Sequence, residues 1–228
     1  NSSGTKIATF SVNGLLRIID ISSSQILQIT RFGPKFFPND IAFSQDSRHL
    51  AIGFANQAVK ILTVELEVNH SYQHAAPVRH VEWHPNSEML QLISSDDSKK
   101  IQLFDYIANK VIANVEGGHT FSFSKDGDTI VSILNQELRV YETKSLKLLQ
   151  QCVVGEYNKL YWLWDNKCYS EDNKGFIVME LGENRIRNIE RGTDKGVMKI
   201  LAWEKEKKIV VVSAEQNMTL IDMRTLQA

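Results

Sequence analysis

Little in this chain could support a disulfide framework, a membrane span or a catalytic motif. Its 228 residues include two cysteines, Cys152 and Cys168, which form no CxxC pair and fit a reducing compartment. Both read as small apolar core residues. The longest apolar runs, such as Leu160-Tyr-Trp-Leu-Trp164 and Ile209-Val-Val-Val212, are strand length, against the ~20 residues a membrane helix needs. Charge of one sign is also missing. With Lys+Arg 26 against Asp+Glu 27 the net charge is −1, which gives no general attraction to nucleic acid or to an anionic membrane. The start, Asn1-Ser-Ser-Gly4, has neither the basic end nor the apolar stretch of a signal peptide. Asn69-His-Ser71 and Asn217-Met-Thr219 match the glycosylation sequon with no secretory signal beside them. No GxSxG, Gly-rich phosphate loop, HExxH or cysteine-histidine metal spacing occurs. The expectation is an intracellular protein, cytoplasmic or nuclear/nucleolar, that is no enzyme and takes no cofactor or small-molecule substrate. Helical periodicity is nearly absent too.

What is present is a beat. Phe43, Trp83, Phe123, Trp162 and Trp203 are separated by 40, 40, 39 and 41 residues, and a period in the forties is the length of a four-stranded propeller blade. An apolar residue stands two positions before each, at Ile41, Val81, Phe121, Leu160 and Leu201. An acidic or amide residue stands three positions after, at Asp46, Asn86, Asp126, Asp165 and Glu206. Strand-like runs follow at regular intervals, for example Leu50-Ala-Ile-Gly-Phe54, Val59-Lys-Ile-Leu62 and Ile101-Gln-Leu-Phe104, in the strand-turn-strand order of antiparallel meanders. Asn13, Asn56, Asn135 and Asn173 recur between the second and third strands, where a residue tolerant of the left-handed conformation is needed.

These features resemble the WD-repeat family, whose blades each hold four antiparallel strands around a central channel. Gly118-His119 matches the family's Gly-His. Ile19-Asp20, Phe104-Asp105 and Ile221-Asp222 stand where it prefers Trp-Asp, with Tyr141-Glu142 and Met179-Glu180 as looser versions. The literal Trp164-Asp165 falls just beyond a first strand and is not the signature. The resemblance implies an all-β propeller over 1–228: a partial blade at 1–30, four complete blades at 36–72, 77–115, 118–152 and 157–190, and a partial blade at 196–228, an excerpt of a longer protein. The family often uses a buried His, Ser/Thr, Asp, Trp network. No unit here carries all four; the Gly118-His119 unit comes closest, with Ser132, Asn135 and Tyr141. Apolar packing between sheets is therefore expected to dominate.

The resemblance implies a non-catalytic scaffold for protein–protein interaction within a multiprotein complex. Trp83-His-Pro-Asn86 followed by Leu90-Gln-Leu-Ile-Ser-Ser95 is further similar to tandem-propeller subunits of the small-subunit processome in ribosome biogenesis. Ciliary, transport and ubiquitin-ligase adaptor propellers are alternatives. Four residues before each aromatic beat the chain is polar: Asn39, Arg79, His119, Asn158 and Lys199. These sit where a first strand starts, on the channel rim. With His119 assigned to structure, Asn39, Arg79, Asn158 and Lys199 are the candidate partner-binding residues. Arg185, Arg187, Arg191 and Lys195 form a second candidate, a basic outer-edge patch for phosphate, RNA or an acidic partner. A solvated edge is the plainer reading.

Two histidine pairs, His70/His74 and His80/His84, have a spacing that a helix could turn toward one zinc ion. On a strand at ~3.3 Å per residue the backbones of His80 and His84 lie ~13 Å apart, too far for ~2 Å ligand bonds. Asp96-Asp97 has no glycosidase-like surroundings and reads as a solvated hairpin corner. No metal site is expected.

Overall fold

The computed structural model describes residues 1, 3–86, 91–118 and 120–153 with their side chains, and from 159 to 222 the backbone of the strands, with the side chains of Leu220 and Asp222. The described strands pair strictly antiparallel, each sheet a meander in chain order. The first sheet has three, β1 (Lys6–Phe10), β2 (Leu15–Asp20) and β3 (Ile26–Arg31). The second has β4 (Pro38–Phe43), β5 (His49–Phe54), β6 (Ala58–Thr63) and β7 (Val68–Gln73). The third has β8 (Val78–Trp83), β9 (Gln91–Asp96), β10 (Lys100–Asp105) and β11 (Lys110–Glu116). The fourth has β12 (Phe121–Phe123), β13 (Thr129–Leu134), β14 (Glu137–Glu142) and β15 (Leu148–Val153). The fifth has β16 (Lys159–Trp162), β17 (Lys167–Asp172), β18 (Gly175–Leu181) and β19 (Ile186–Gly192), and the sixth β20 (Val197–Trp203), β21 (Lys208–Ser213) and β22 (Met218–Asp222). This is a β-propeller of four complete and two partial blades. Each of the five aromatic beats is the last residue of a first strand.

Each core belongs to two sheets. Leu50, Ile52 and Phe54 of β5 pack on Leu16 and Ile18 of the first sheet, while Ala51 between them packs on the third, with Val81, Trp83 and Leu92. Within β9, Leu92 faces back and Ile93 faces forward, onto Phe121, Phe123 and Ile130. Alternation at period two with apolar residues at both parities produces a sheet buried on both faces. At ~25 cal/mol per Å² of apolar surface, each fully buried Leu, Ile or Phe contributes about 2 kcal/mol.

The turns explain two of the recurrent residues. Asp46 Oδ1 accepts the Ser44 hydroxyl at 2.5 Å and the Arg48 amide at 3.0 Å; Asp126 does the same for Ser124 and the Asp128 amide. The acid three residues after the beat thus ties the first-to-second-strand turn to itself. At the second-to-third-strand turns the expectation about asparagine needs correction. The left-handed residue is Gly14 rather than Asn13 and Gln57 rather than Asn56, while Asn135 and Gln136 are both left-handed. The first two are β-turns closed from Gly14 N to Ser11 O and from Gln57 N to Phe54 O, with the left-handed residue last; of these three, the Asn135-Gln136 turn is the tight two-residue hairpin. Asn173 lies outside the described residues.

β3, the last strand of the first sheet, and the fourth strands β7, β11, β15 and β19 carry a bulge at the same place. The pairing skips Leu27, Asn69, Ile112, Leu149 and Ile189. Each bulge bends the outermost strand and increases its twist.

Candidate functional site

First strands and second-to-third-strand turns share one end of the blades, and two rim candidates are described there. Asn39 and Arg79 are each the extra residue of a bulge, skipped between Pro38 and Asp40 and between Val78 and His80. Both are exposed, and both reach sideways. Asn39 Nδ2 donates to the Val78 carbonyl of the next blade at 2.7 Å. The Arg79 guanidinium meets the Asp97 carboxylate through two nitrogens, Nη2 at 2.8 Å from Oδ2. Lys99 Nζ continues the line, donating to Asn135 Oδ1 at 2.8 Å. Arg79 is 51% exposed, so its pairing with Asp97 fixes the fork with little gain in stability, ~0–1 kcal/mol. A pre-set arginine fork open to solvent suits a carboxylate-bearing partner.

Lys199 does not stand in the same register. In β20 the skipped residue is Met198, and Lys199 pairs with Val212, the position that Asp40 and His80 occupy in their strands. The 41-residue interval before Trp203 shifts it by one. Asn158 and His119 lie outside the described residues. So do Arg185 and Lys195 of the basic patch. Arg187 pairs with Glu180 and Arg191 with Ile177, and the skipped Ile189 between them puts the two arginines at positions of opposite parity on β18.

Beneath the rim, the first strands are stapled blade to blade. Asp40 Oδ2 accepts the Val81 amide at 3.0 Å and the His80 Nδ1–H at 2.5 Å. Glu82 Oε1 accepts the Phe123 amide at 3.3 Å. Trp83 donates its indole N–H back to the Ala42 carbonyl at 3.1 Å. Burial works against charge on His80, but its hydrogen bonds and charge contacts with Asp40 and Glu82 outweigh that and push it up to about 9. His84 is occupied elsewhere: Nε2–H donates to the Gly127 carbonyl and Nδ1 accepts the Asn86 amide, which fixes its tautomer.

A buried polar network joins the second and third sheets, at residues other than those of the Gly118-His119 unit. His74 Nδ1 donates to Asp96 Oδ2 at 3.1 Å, and its Nε2 accepts the Ser94 hydroxyl at 2.7 Å. Ser94 Oγ in turn meets the Tyr72 hydroxyl at 2.8 Å. Asp96 is fully buried, not a solvated corner. Its Oδ1 takes the Ser98 amide and hydroxyl and the Lys100 amide. Burial lowers the His74 pKa, and the Asp96 contact opposes that without reversing it. Burial would raise the Asp96 carboxyl, but Ser98, the Lys100 amide and His74 together hold it below its ordinary value. Phe104 stands where the family's tryptophan would be, stacked on Tyr72 at 4.5 Å, and the Tyr72 hydroxyl supplies the donor that an indole would have given. The signal was spacing: His74 lies nine residues before Trp83, whereas His119 lies only four before Phe123. Gly118 has a packing reason of its own. Its φ is +92°, and a Cβ there would meet the Ile133 carbonyl oxygen at 1.8 Å.

Comparisons with known proteins agree with this geometry. The family model of the WD domain, G-beta repeat, matches residues 66–105, the stretch that holds His74, Ser94, Asp96 and Phe104-Asp105. Among solved structures, a chain of the crystallised mitotic checkpoint complex matches with a TM-score of 0.81 at 13% identity, over 95% of this chain and 71% of that one. The β-propeller domain of Myceliophteria thermophila Cps50 (Swd1) matches with a TM-score of 0.79 at 11% identity, over 100% of this chain and 82% of that one. A search of curated proteins found no match.

Proposed function

We propose that this β-propeller, which carries a WD repeat at residues 66–105, is a non-catalytic scaffold that binds protein partners within a multiprotein complex. The observation that carries the reading is the rim. Asn39 of the second blade and Arg79 and Lys99 of the third form an exposed polar line; Asn39 and Lys99 are tied to the following blade and Arg79 to Asp97 of its own, so all three are held in place before any partner arrives. Asn158 and Lys199 are candidates from the sequence, the first outside the described residues and the second one register position from Asn39 and Arg79. Among the matched structures, one chain comes from a multiprotein assembly, which is consistent with such a role. The narrower reading, a subunit of the small-subunit processome, rests on the sequence around Trp83 and Leu90 alone. The alternative reading is RNA binding through the basic residues Arg185, Arg187, Arg191 and Lys195, and the nuclease arm of the test below separates it from protein binding. Affinity purification of the intact protein tests the proposal. Stoichiometric protein partners that survive nuclease and are lost with Arg79→Glu are the expected result; no stoichiometric partner, or retention that nuclease abolishes, sinks it.

A further inference from the structure

We propose that His80 is a proton-operated clamp joining the first strands of three successive blades: when charged it holds the Asp40 carboxylate on the Val81 amide and keeps Glu82 at the Phe123 amide, and when neutral it loosens both.

Each ring nitrogen faces a carboxylate, Nδ1 in a hydrogen bond and Nε2 at ion-pair distance. Nδ1 lies 2.5 Å from Asp40 Oδ2 on β4, and Nε2 lies 3.7 Å from Glu82 Oε2 on its own strand. A neutral imidazole has one N–H, so it would turn a lone pair toward one of the two carboxylates. The charged ring avoids that. The third neighbour, β12, offers Phe121, whose ring centroid is 4.6 Å from that of His80, and its other residues, Ser122 and Phe123, bring no charge. One cation thus faces two carboxylates, and each carboxylate also accepts an amide from the next blade: Val81 for Asp40 and Phe123 for Glu82. Losing the proton leaves two anions facing each other across an uncharged ring. The displacement of His80 to about 9 puts that loss in the mildly alkaline range. His80 is also the residue after Arg79, so the clamp sets the rigidity of the strand that starts at the rim; it does not depend on what binds there.

Amide hydrogen exchange on the intact chain, followed by NMR from pH 7 to 10 and corrected for the intrinsic rate, tests this. Protection of the Val81 and Phe123 amides is expected to fall by about a factor of ten, the size of one pKa unit of coupling, while Ile52 in β5 stays unchanged. In His80→Gln, which has no proton to lose in this range, that pH dependence is expected to vanish. A native protein without the fall, or a glutamine variant that keeps it, overturns the proposal. Should His80→Gln fail to fold, Asp40→Asn serves: the His80 ring signal is expected to titrate at a clearly lower pH, and an unmoved midpoint overturns the clamp.

Discussion

His74 and Asp96 are 22 residues apart in the chain and 3.1 Å apart in the fold, at side-chain exposures of 0% and 1%. A buried carboxylate with four donors is satisfied only as a set. Asp96→Ala removes the acceptor of the His74 N–H and of the Ser98 and Lys100 groups, and the loss is expected to be about 3–5 kcal/mol. Tyr72→Phe deletes one hydroxyl at the far end of the network and is expected to cost about 1 kcal/mol. Urea unfolding of both variants checks the ratio.

The same pair sets the acid limb of stability. His74 has a folded pKa below its ordinary 6.5, so as pH falls from that value the unfolded chain takes up the proton first and stability is lost. Asp96 adds a further loss below its ordinary 3.8, continuing through its lower folded value. His80 runs the other way: raised to about 9, it contributes fully below 6.5 and loses that contribution as pH climbs to about 9. Thermal melts across pH 4 to 10 are expected to fall at both ends, with His80→Gln flattening only the alkaline side.

Gly118→Ala is expected to destabilise the protein by more than about 2 kcal/mol, because both the left-handed backbone and the Ile133 carbonyl oppose a Cβ. Gly4, also left-handed at φ +66° but with nothing within 4 Å, makes the control: Gly4→Ala is expected to cost less, about 1 kcal/mol. Chemical denaturation of the two variants separates conformational strain from collision.

Arg79→Ala is expected to change stability by less than about 1 kcal/mol, since its ion pair with Asp97 is exposed. Its effect belongs to partner capture. A normal melting curve together with a lost partner is the expected combination.

The meander and its period were legible because they rest on local alternation, and Phe43, Trp83 and Phe123 could be read directly as strand ends. The His74 network was harder. Its members come from two sheets, and its tryptophan is replaced by a tyrosine from the preceding blade's outer strand, so a motif sought within one unit pointed to Gly118-His119 instead. The bond of Asp40 to the Val81 amide crosses a blade boundary of 41 residues that no local pattern encodes. Bulges were invisible for the same reason. The displacement of Lys199 relative to Asn39 and Arg79 depends on which residue the neighbouring strand skips.

The five bulges in β3, β7, β11, β15 and β19 decide how the molecule meets its surroundings. An outer strand that kept an even ladder would offer a row of unpaired amides and carbonyls to any passing extended chain. Here the row is broken once in each of these five strands, which makes them poor templates for recruitment or for amyloid-like growth. An extended chain arriving at one of these edges finds its hydrogen-bonding row out of step, and only side chains are left to hold it.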